Sequence, residues 1–337
     1  MPLKVVFLGR VTREIKIELF IKKYNIEIVL LFISIAFVII SFIASINSIK
    51  DEFTLFARSG AILVLFAVIV AACYVLLSNA GYGDMILSGI AILVLIYLLY
   101  LAIFKFNGIS RKHFLALIIL TLFAVVFWAI FFQMFSLVPL FIERTVSHQV
   151  LGFTIPTSSF LALESIFIFI LGWPLAVLWK YLHHIKKDPN IILKFVLAIL
   201  CLSLGMKLLA ISTEHPAANG LILPGILFIF FFLLTLGEML LSPNFLSAVT
   251  ELSPKYIVGM MMGIQYMAIG FGSLLSGILA QLAAMPDNVN TLSLQAMEGT
   301  YRHAFNINAV ICLIAAIVIL ILMPFVAKLM NAGEKSH

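Results

Sequence analysis

Two acidic residues lie inside long apolar stretches, and they are the first candidates for chemistry. Glu238 lies in Thr235-Leu-Gly-Glu-Met-Leu-Leu-Ser-Pro243, and Glu164 lies beside Ser165 in another apolar run. A carboxylate there is costly unless it faces a bundle interior or a water-filled cavity, so Glu238 is predicted to be a functional site. The alternative for Glu238 is a buried acid kept protonated by a neighbouring hydroxyl. The alternative for Glu164 is a residue solvated by an outer vestibule.

Other polar residues accompany these acids at helical spacing. Thr235, Glu238 and Ser242 are spaced i, i+3 and i+7, which places them on one helix face. Gln133 lies within a third apolar run, and Gln265 is the polar side chain in the middle of a fourth. The candidate binding residues are therefore Glu238, Glu164, Gln133, Ser242 and Gln265.

No motif for catalysis or cofactor binding accompanies these residues. The sequence contains no phosphate-binding glycine loop, no metal-spaced histidine cluster and no Ser-His-Asp order. Cys73, Cys201 and Cys312 lie in separate apolar segments and are predicted to be reduced packing residues. We therefore expect no cofactor, no bound metal, no catalytic residue and no enzymatic activity.

The elements that must position these residues are predicted from composition. Of the 337 residues 64% are hydrophobic and 11% are charged, and the mean hydropathy is +1.20. Soluble chains carry roughly 45–50% apolar and about 25% charged residues. The chain is therefore predicted to be an all-α polytopic membrane protein in a lipid bilayer. Its basic residues cluster in short connectors, which is typical of membrane topology rather than of nucleic-acid binding.

The hydrophobic pattern divides the chain into four parts. A basic segment (1–25) precedes three hydrophobic helices (26–105), a six-helix bundle (106–330) and a short tail (331–337). Segments of ~20 apolar residues are long enough to span a bilayer. The nine candidate spans are 26–49, 58–79, 83–105, 113–142, 156–182, 190–212, 221–250, 255–284 and 303–330.

Charge in the connectors predicts the orientation. Lys and Arg occur in connectors 105–113 and 180–187 and near the C-terminus, but not in 145–155 or 213–220. The basic connectors and the C-terminus are therefore predicted to be cytoplasmic. The basic residues of 1–25 also favour the cytoplasm, although three spans separate them from connector 105–113. Either one of these three does not cross the membrane or the N-terminus lies outside its usual context.

One predicted helix, 255–284, is rich in small residues. The pairs Gly259/Gly263 and Ser273/Gly277 have the small-xxx-small spacing that allows two helices to approach closely. We expect tight helix packing at these four residues. The alternative is a surface that slides during conformational exchange.

Three sequence blocks resemble a known family. They are 127–134 (Phe-Trp-Ala-Ile-Phe-Phe-Gln-Met), 163–170 (Leu-Glu-Ser-Ile-Phe-Ile-Phe-Ile) and 236–243 (Leu-Gly-Glu-Met-Leu-Leu-Ser-Pro). Together they resemble the C-terminal half of the proton-coupled oligopeptide transporters (the POT or PTR family), a branch of the major facilitator superfamily. The resemblance covers 113–330 and implies that 58–79 and 83–105 match the hairpin that bacterial members insert between their halves. Segment 26–49 is then a surplus span.

The resemblance also implies roles for individual residues. Glu238 matches the acid that receives the amino terminus of a peptide, and it is the candidate for proton coupling. Glu164 lies where most members have Asn, and Gln265 lies where many have Trp. Phe132 occupies a position that is commonly a Glu involved in proton coupling. These differences bear on proton coupling and on peptide selectivity.

The resemblance implies a function that needs a partner. We expect the C-terminal half of a di- and tripeptide/proton symporter of the bacterial inner membrane. It would be truncated or encoded separately and would need an N-terminal half for transport. One alternative is a non-transporting scaffold or remnant. Another, from a different class, is a membrane-embedded lipid-linked transferase using His183-His184 or Glu251.

Overall fold

The computed structural model describes residues 66, 70, 80–150, 152–217, 220–284 and 293–332. The chain divides into two compact units, Met1–Met85 and Ile86–His337, and nearly all of the described residues belong to the second. The predicted basic segment 1–25, the span 26–49 and most of the span 58–79 lie outside the described residues.

The described part of the chain is almost entirely helical, as predicted. Seven helices within it are long and apolar enough to cross a membrane. They overlap the last seven predicted spans, so the prediction of an all-α polytopic membrane fold is confirmed. Their bounds are Met85–Lys105, Gly108–Thr145, Thr157–His184, Ile191–Ser212, Gly225–Leu252, Val258–Ala283 and Leu294–Met330.

Within the described residues these spans are built from nine α-helices, and one short hairpin connects two of the spans. A π-helical turn, Leu101–Lys105, extends α1, and two 3₁₀ turns, Phe132–Phe135 and Gln281–Ala283, follow α2 and α8. In chain order the elements are α1 (Ala80–Tyr100), α2 (Gly108–Phe131), α3 (Leu137–Thr145), β1 (Gln149–Val150), β2 (Phe153–Thr154), α4 (Thr157–Leu161), α5 (Leu163–His184), α6 (Ile191–Ser212), α7 (Gly225–Leu252), α8 (Val258–Ala280) and α9 (Leu294–Met330).

The predicted span 113–142 begins earlier than expected and is broken near its end. The 3₁₀ turn Phe132–Phe135 and Ser136 separate α2 from α3. Pro139 lies in the first turn of α3, where backbone N–H groups have no intrahelical acceptor, so its missing donor costs little there. The Ser136 hydroxyl donates to the Phe132 carbonyl oxygen at 3.3 Å. The break places Gln133 and Ser136 at an irregular point inside the bundle.

The last helix begins at Leu294 rather than at the predicted 303. The Ser293 hydroxyl accepts a hydrogen bond from the Ala296 N–H at 3.2 Å and caps the helix. The additional turns carry Glu298 and Arg302, whose charge hid them from a hydropathy-based prediction. A cap, rather than apolar character, sets this helix start.

The helices of the bundle pack around a core rich in aromatic residues. Helix α9 packs most extensively on α6, which packs on α7, while α8 packs on α2. Between α3 and α9, the Phe141 ring lies 5.5 Å from the Tyr301 ring and 5.0 Å from the Phe305 ring. The Ser203 hydroxyl of α6 donates to the Ala309 carbonyl oxygen of α9 at 2.8 Å. These contacts hold α3, α6 and α9 together, and α6 in turn supports α7.

Two glycines allow unusually close helix approaches. A Cβ at Gly272 of α8 would lie 2.4 Å from the Trp128 Cβ and 2.9 Å from the Trp128 backbone carbon on α2. A Cβ at Gly237 of α7 would lie 2.9 Å from the Ala198 carbonyl oxygen on α6. Neither position has room for a side chain, so both glycines are required by the helix spacing.

A short hairpin closes one end of the bundle, which we call the hairpin end. Strands β1 and β2 pair antiparallel, with Gln149 opposite Thr154. Beside the hairpin, the Ser147 N–H donates to the Ile222 carbonyl oxygen at 2.9 Å, and the Ile222 N–H donates to the Thr145 carbonyl oxygen at 2.9 Å. These bonds join the end of α3 to the segment before α7.

Candidate functional site

The structure brings the two membrane-embedded acids together. Helix α5 packs on α7, with the Phe167 and Phe232 rings 5.7 Å apart. A Cβ at Gly172 of α5 would lie 3.9 Å from the Met239 Cε of α7. The Glu164 carboxyl group is near enough to that of Glu238 for the two to interact electrostatically. Glu164 therefore adjoins Glu238, and its solvation by an outer vestibule stays a prediction.

The two carboxyl groups have different surroundings. Both residues are half-buried. The Ser165 hydroxyl donates to Glu164 Oε2 at 3.1 Å. Glu238 Oε2 is buried and has no hydrogen-bond partner among the described residues. A buried oxygen without a partner is costly, so it is available to a donor brought by a ligand.

The polar residues next to Glu238 on α7 differ in availability. Thr235 is fully buried, and its hydroxyl donates to the Phe231 carbonyl oxygen at 2.8 Å. Ser242 lies one turn beyond Glu238 and is half-buried. Thr235 is thus satisfied within its own helix, whereas Ser242 remains a candidate for ligand binding.

Gln133 belongs to a separate polar cluster between the α2–α3 break and α8. It is fully buried, and its Nε2 donates to the Ser276 carbonyl oxygen at 3.0 Å and weakly to the Ala129 carbonyl oxygen at 3.5 Å. The Ser136 hydroxyl donates to Gln133 Oε1 at 3.3 Å, and its oxygen lies 3.1 Å from the Ser276 hydroxyl oxygen, within hydrogen-bonding distance. No hydrogen bond between described residues links this cluster to Glu238, so ligand binding by Gln133 stays a prediction.

Gln265 and Phe132 occupy two further positions of interest. Gln265 is 6% exposed, and its Oε1 has no hydrogen-bond partner within the described ranges. The Phe132 ring lies 5.6 Å from the Trp128 ring and 6.0 Å from the Phe135 ring. Position 132 is thus part of an aromatic cluster, while Gln265 retains an unused acceptor.

The four small residues predicted to pack closely are not found at a tight contact. A Cβ at Gly259, Gly263 or Gly277 would meet no described atom within 4 Å, and Ser273 is exposed. The close approach occurs at Gly272, on a neighbouring face of the same helix. A packing role for the four residues stays a prediction, because the described residues place no neighbour against this face of α8.

Sequence reasoning missed a cavity lined in part by charged residues at the hairpin end. A space of about 620 Å³ is lined by residues that include Glu214, Glu298 and Arg302. Arg302 lies 3.6 Å from Glu214, whereas Glu298 is 5% exposed with its Oε1 unpaired within the described ranges. The first turns of α9 form one wall of this cavity, and the acid and base four residues apart at 298 and 302 were its signal in the sequence.

The residues considered for catalysis do not form a recognisable active site. His183, His184 and Glu251 are exposed near helix ends. The described residues contain no group of three or more His, Cys, Asp or Glu side chains that could hold a metal ion. The arrangement that the structure offers instead is a pair of carboxyl groups within a membrane helix bundle.

A helical membrane bundle with interior acids is typical of transporters, and the comparison with known proteins specifies the family. A family model described as the POT family matches residues 76–296. The chain therefore belongs to the POT family.

Curated relatives are peptide transporters of about twice the matched length. Dipeptide and tripeptide permease B of Xenorhabdus bovienii (strain SS-2004) is 30% identical over 276 residues, which cover 82% of this chain and 56% of the relative. Peptide transporter YePEPT of Yersinia enterocolitica subsp. palearctica serotype O:3 (strain YE-P4) is 30% identical over 276 residues, covering 80% and 52%. The chain thus spans about half the length of the curated relatives it matches.

Solved structures support the same fold. A crystal structure of a peptide transporter POT in complex with sulfate matches with a TM-score of 0.67 at 23% identity, covering 84% of this chain and 56% of that chain. A crystal structure of tetrameric PepTSo2 matches with a TM-score of 0.66 at 23% identity, again covering 84% and 56%. At this identity the likeness establishes the fold alone.

Proposed function

We propose that this chain is the C-terminal half of a proton-coupled transporter of di- and tripeptides. The observation that carries the proposal is the match to dipeptide and tripeptide permeases over about half of their length. Transporters of this superfamily bind substrate between two halves near the membrane midplane and rock one half against the other. An N-terminal half, whether joined to this chain or encoded separately, therefore completes the substrate cavity.

The exposed aromatic residues of the bundle fit this proposal. Phe169 and Trp173 on α5 are 90% and 76% exposed, and Tyr266 on α8 is 62% exposed. Aromatic side chains dominate protein interfaces because each covers a large area. We propose that α5 and α8 face the second half.

The site residues receive proposed roles on this basis. Glu238 binds the ammonium group of the peptide, because a cation that sheds water in an apolar cavity needs a fixed anion. Glu164 adjoins the same position. Gln133, Ser242 and Gln265 offer neutral polar groups for the peptide backbone; Gln133 reaches a ligand only if its bond to α8 opens.

We expect this chain alone not to transport peptides, because one half provides one wall of the cavity and Phe132 supplies no acid. Vesicles that contain only this chain, given an inward proton gradient, should take up no more labelled dialanine than empty vesicles do. Dipeptide and tripeptide permease B, reconstituted in parallel, is the active control. Saturable uptake by this chain would contradict the need for a second half. The DNA upstream of the Met1 codon can also be searched for a reading frame that encodes six further spans, which would supply the second half.

We expect the connectors 105–113 and 180–187 and the C-terminus to be cytoplasmic, with the hairpin end outside the inner membrane. After replacement of the native cysteines by Ser, an impermeant maleimide should label Thr154→Cys on intact cells. Ser110→Cys, in the first turn of α2, should be labelled only after the membrane is permeabilised. Both positions are exposed, so accessibility is matched. Labelling of Ser110→Cys on intact cells would reverse the assignment.

A further inference from the structure

The cavity at the hairpin end contains a buried acid that lacks a hydrogen-bond partner. Glu298 lines this cavity, yet it is 5% exposed and its Oε1 accepts no hydrogen bond from a described residue. A buried carboxylate oxygen without a donor is costly, so an atom of this kind in a folded protein needs an explanation. A donor that binds in the adjoining cavity would provide one.

This cavity is separate from the acids on α5 and α7. Its lining residues come from the end of α6, the connector to α7 and the first turns of α9. No residue of α5 or α7 is among them, so neither Glu164 nor Glu238 contributes to the cavity. Glu298 therefore belongs to a second polar site of the bundle.

The charges in the cavity leave a negative balance. Arg302 lies 3.6 Å from Glu214, and both side chains are partly exposed, so this ion pair contributes little to stability. Arg302 also acts electrostatically on Glu298, but no ion pair or hydrogen bond joins these two side chains among the described contacts. Two carboxylates thus share one guanidinium group, and their net charge is −1 when all three groups are ionised. The missing partner is therefore a cation.

The lining of the cavity favours an organic cation over a metal ion. The described residues contain no group of three or more His, Cys, Asp or Glu side chains that could hold a metal. The cavity volume of about 620 Å³ lies in the range of small-molecule sites, roughly 300–1,000 Å³. Pro216 and Leu294 supply apolar contact area, and Gln295 supplies a neutral polar group. A small cation with N–H donors and a short apolar body matches these features.

We propose that the hairpin-end cavity binds a primary ammonium group, which donates a hydrogen bond to the Glu298 carboxylate. An ammonium group is compact and has three N–H donors, so one can satisfy Oε1 while the others are available to Glu214 or Gln295. Hydrogen bonds between charged groups are stronger than those between neutral groups. A quaternary ammonium group carries the same charge but has no N–H donor, so it leaves Oε1 unsatisfied. This site does not depend on the peptide role proposed for Glu238.

Equilibrium binding of radiolabelled phenethylamine tests the site. The full chain is placed in nanodiscs of phosphatidylcholine and phosphatidylglycerol, which contain no primary amine. Binding should be saturable, and Glu298→Gln should weaken it roughly tenfold or more, because one partner of a hydrogen-bonded charge pair is removed. Unlabelled butylamine should compete, whereas tetramethylammonium at the same concentration should not. Glu251→Gln, which removes an exposed acid from α7, should leave binding unchanged.

Two further variants separate this cavity from the acid on α7. Binding of phenethylamine at the hairpin end should persist in Glu238→Gln. It should be lost in Gln295→Trp, which fills the cavity from an exposed position and leaves Glu298 unaltered. Gel filtration verifies that each variant folds, and Gln295→Trp carries the test if Glu298→Gln does not. Binding that is lost in Glu238→Gln but kept in Glu298→Gln would overturn the proposal.

The source of the ammonium group is tested with nanodiscs that also contain phosphatidylethanolamine, whose head group ends in a primary amine. If this head group occupies the cavity, these nanodiscs should weaken the binding of phenethylamine to the parent. Unchanged binding would assign the cavity to soluble amines. Both results retain an ammonium site at Glu298. A parent that shows no saturable binding in the nanodiscs without phosphatidylethanolamine, or equal binding by the parent and Glu298→Gln, would overturn it.

Discussion

Replacement of Glu238 by Gln is expected to weaken the binding of free-amine dipeptides by roughly 2–5 kcal/mol, or roughly 25- to 4,000-fold in Kd, the cost of removing one partner of a buried charge pair. The substitution keeps the shape of the side chain and removes its charge. Binding is measured by calorimetry on the chain assembled with an N-terminal half. The unpartnered Glu238 Oε2 is the acceptor that the ammonium group would lose.

Two controls separate substrate binding from other roles of Glu238. Peptides with acetylated amino termini carry no ammonium group, so their binding should change much less. Glu251→Gln removes a charge from the exposed end of the same helix and should leave both peptides unaffected. Equal losses for free and acetylated peptides would mean that Glu238 acts in folding or proton handling rather than in amine recognition.

Substitution of Gly272 by Ala is expected to destabilise the bundle by about 1–3 kcal/mol, the usual cost of forcing extra atoms into a packed interior. The new Cβ would lie 2.4 Å from the Trp128 Cβ and 2.9 Å from its backbone carbon, so α2 and α8 must separate. A rotamer change cannot relieve a clash with backbone atoms. The measurement is thermal unfolding in detergent, followed by loss of helical signal.

The matched control is Gly263→Ala on the same helix. Its Cβ would meet no described atom within 4 Å. An alanine in a helix interior is favoured over glycine by roughly 0.5–1 kcal/mol, so the unfolding temperature should stay the same or rise. A larger loss at Gly263 than at Gly272 would show that the small-xxx-small surface, and not the Trp128 contact, holds α8 in place.

The sequence by itself determined the class of protein and the places of its helices. Long apolar runs cannot remain in water, so hydropathy located the seven described spans, and the acid within Thr235–Pro243 stood out against its neighbours. The family resemblance came from local blocks around the same acid. These features are properties of contiguous sequence, which is why they could be predicted.

Only the tertiary structure decided which side chains meet. A membrane helix is apolar on every side, so its sequence does not indicate which face packs inward. The proximity of Glu164 to Glu238, the hydrogen bond from Gln133 to Ser276 and the close contact at Gly272 instead of Gly259 all depend on the rotation of one helix against another. The helix break at Phe132–Phe135 and the start of α9 at Leu294 depend on turn and capping bonds. Such contacts join residues far apart in the chain, and hydropathy carries no information about them.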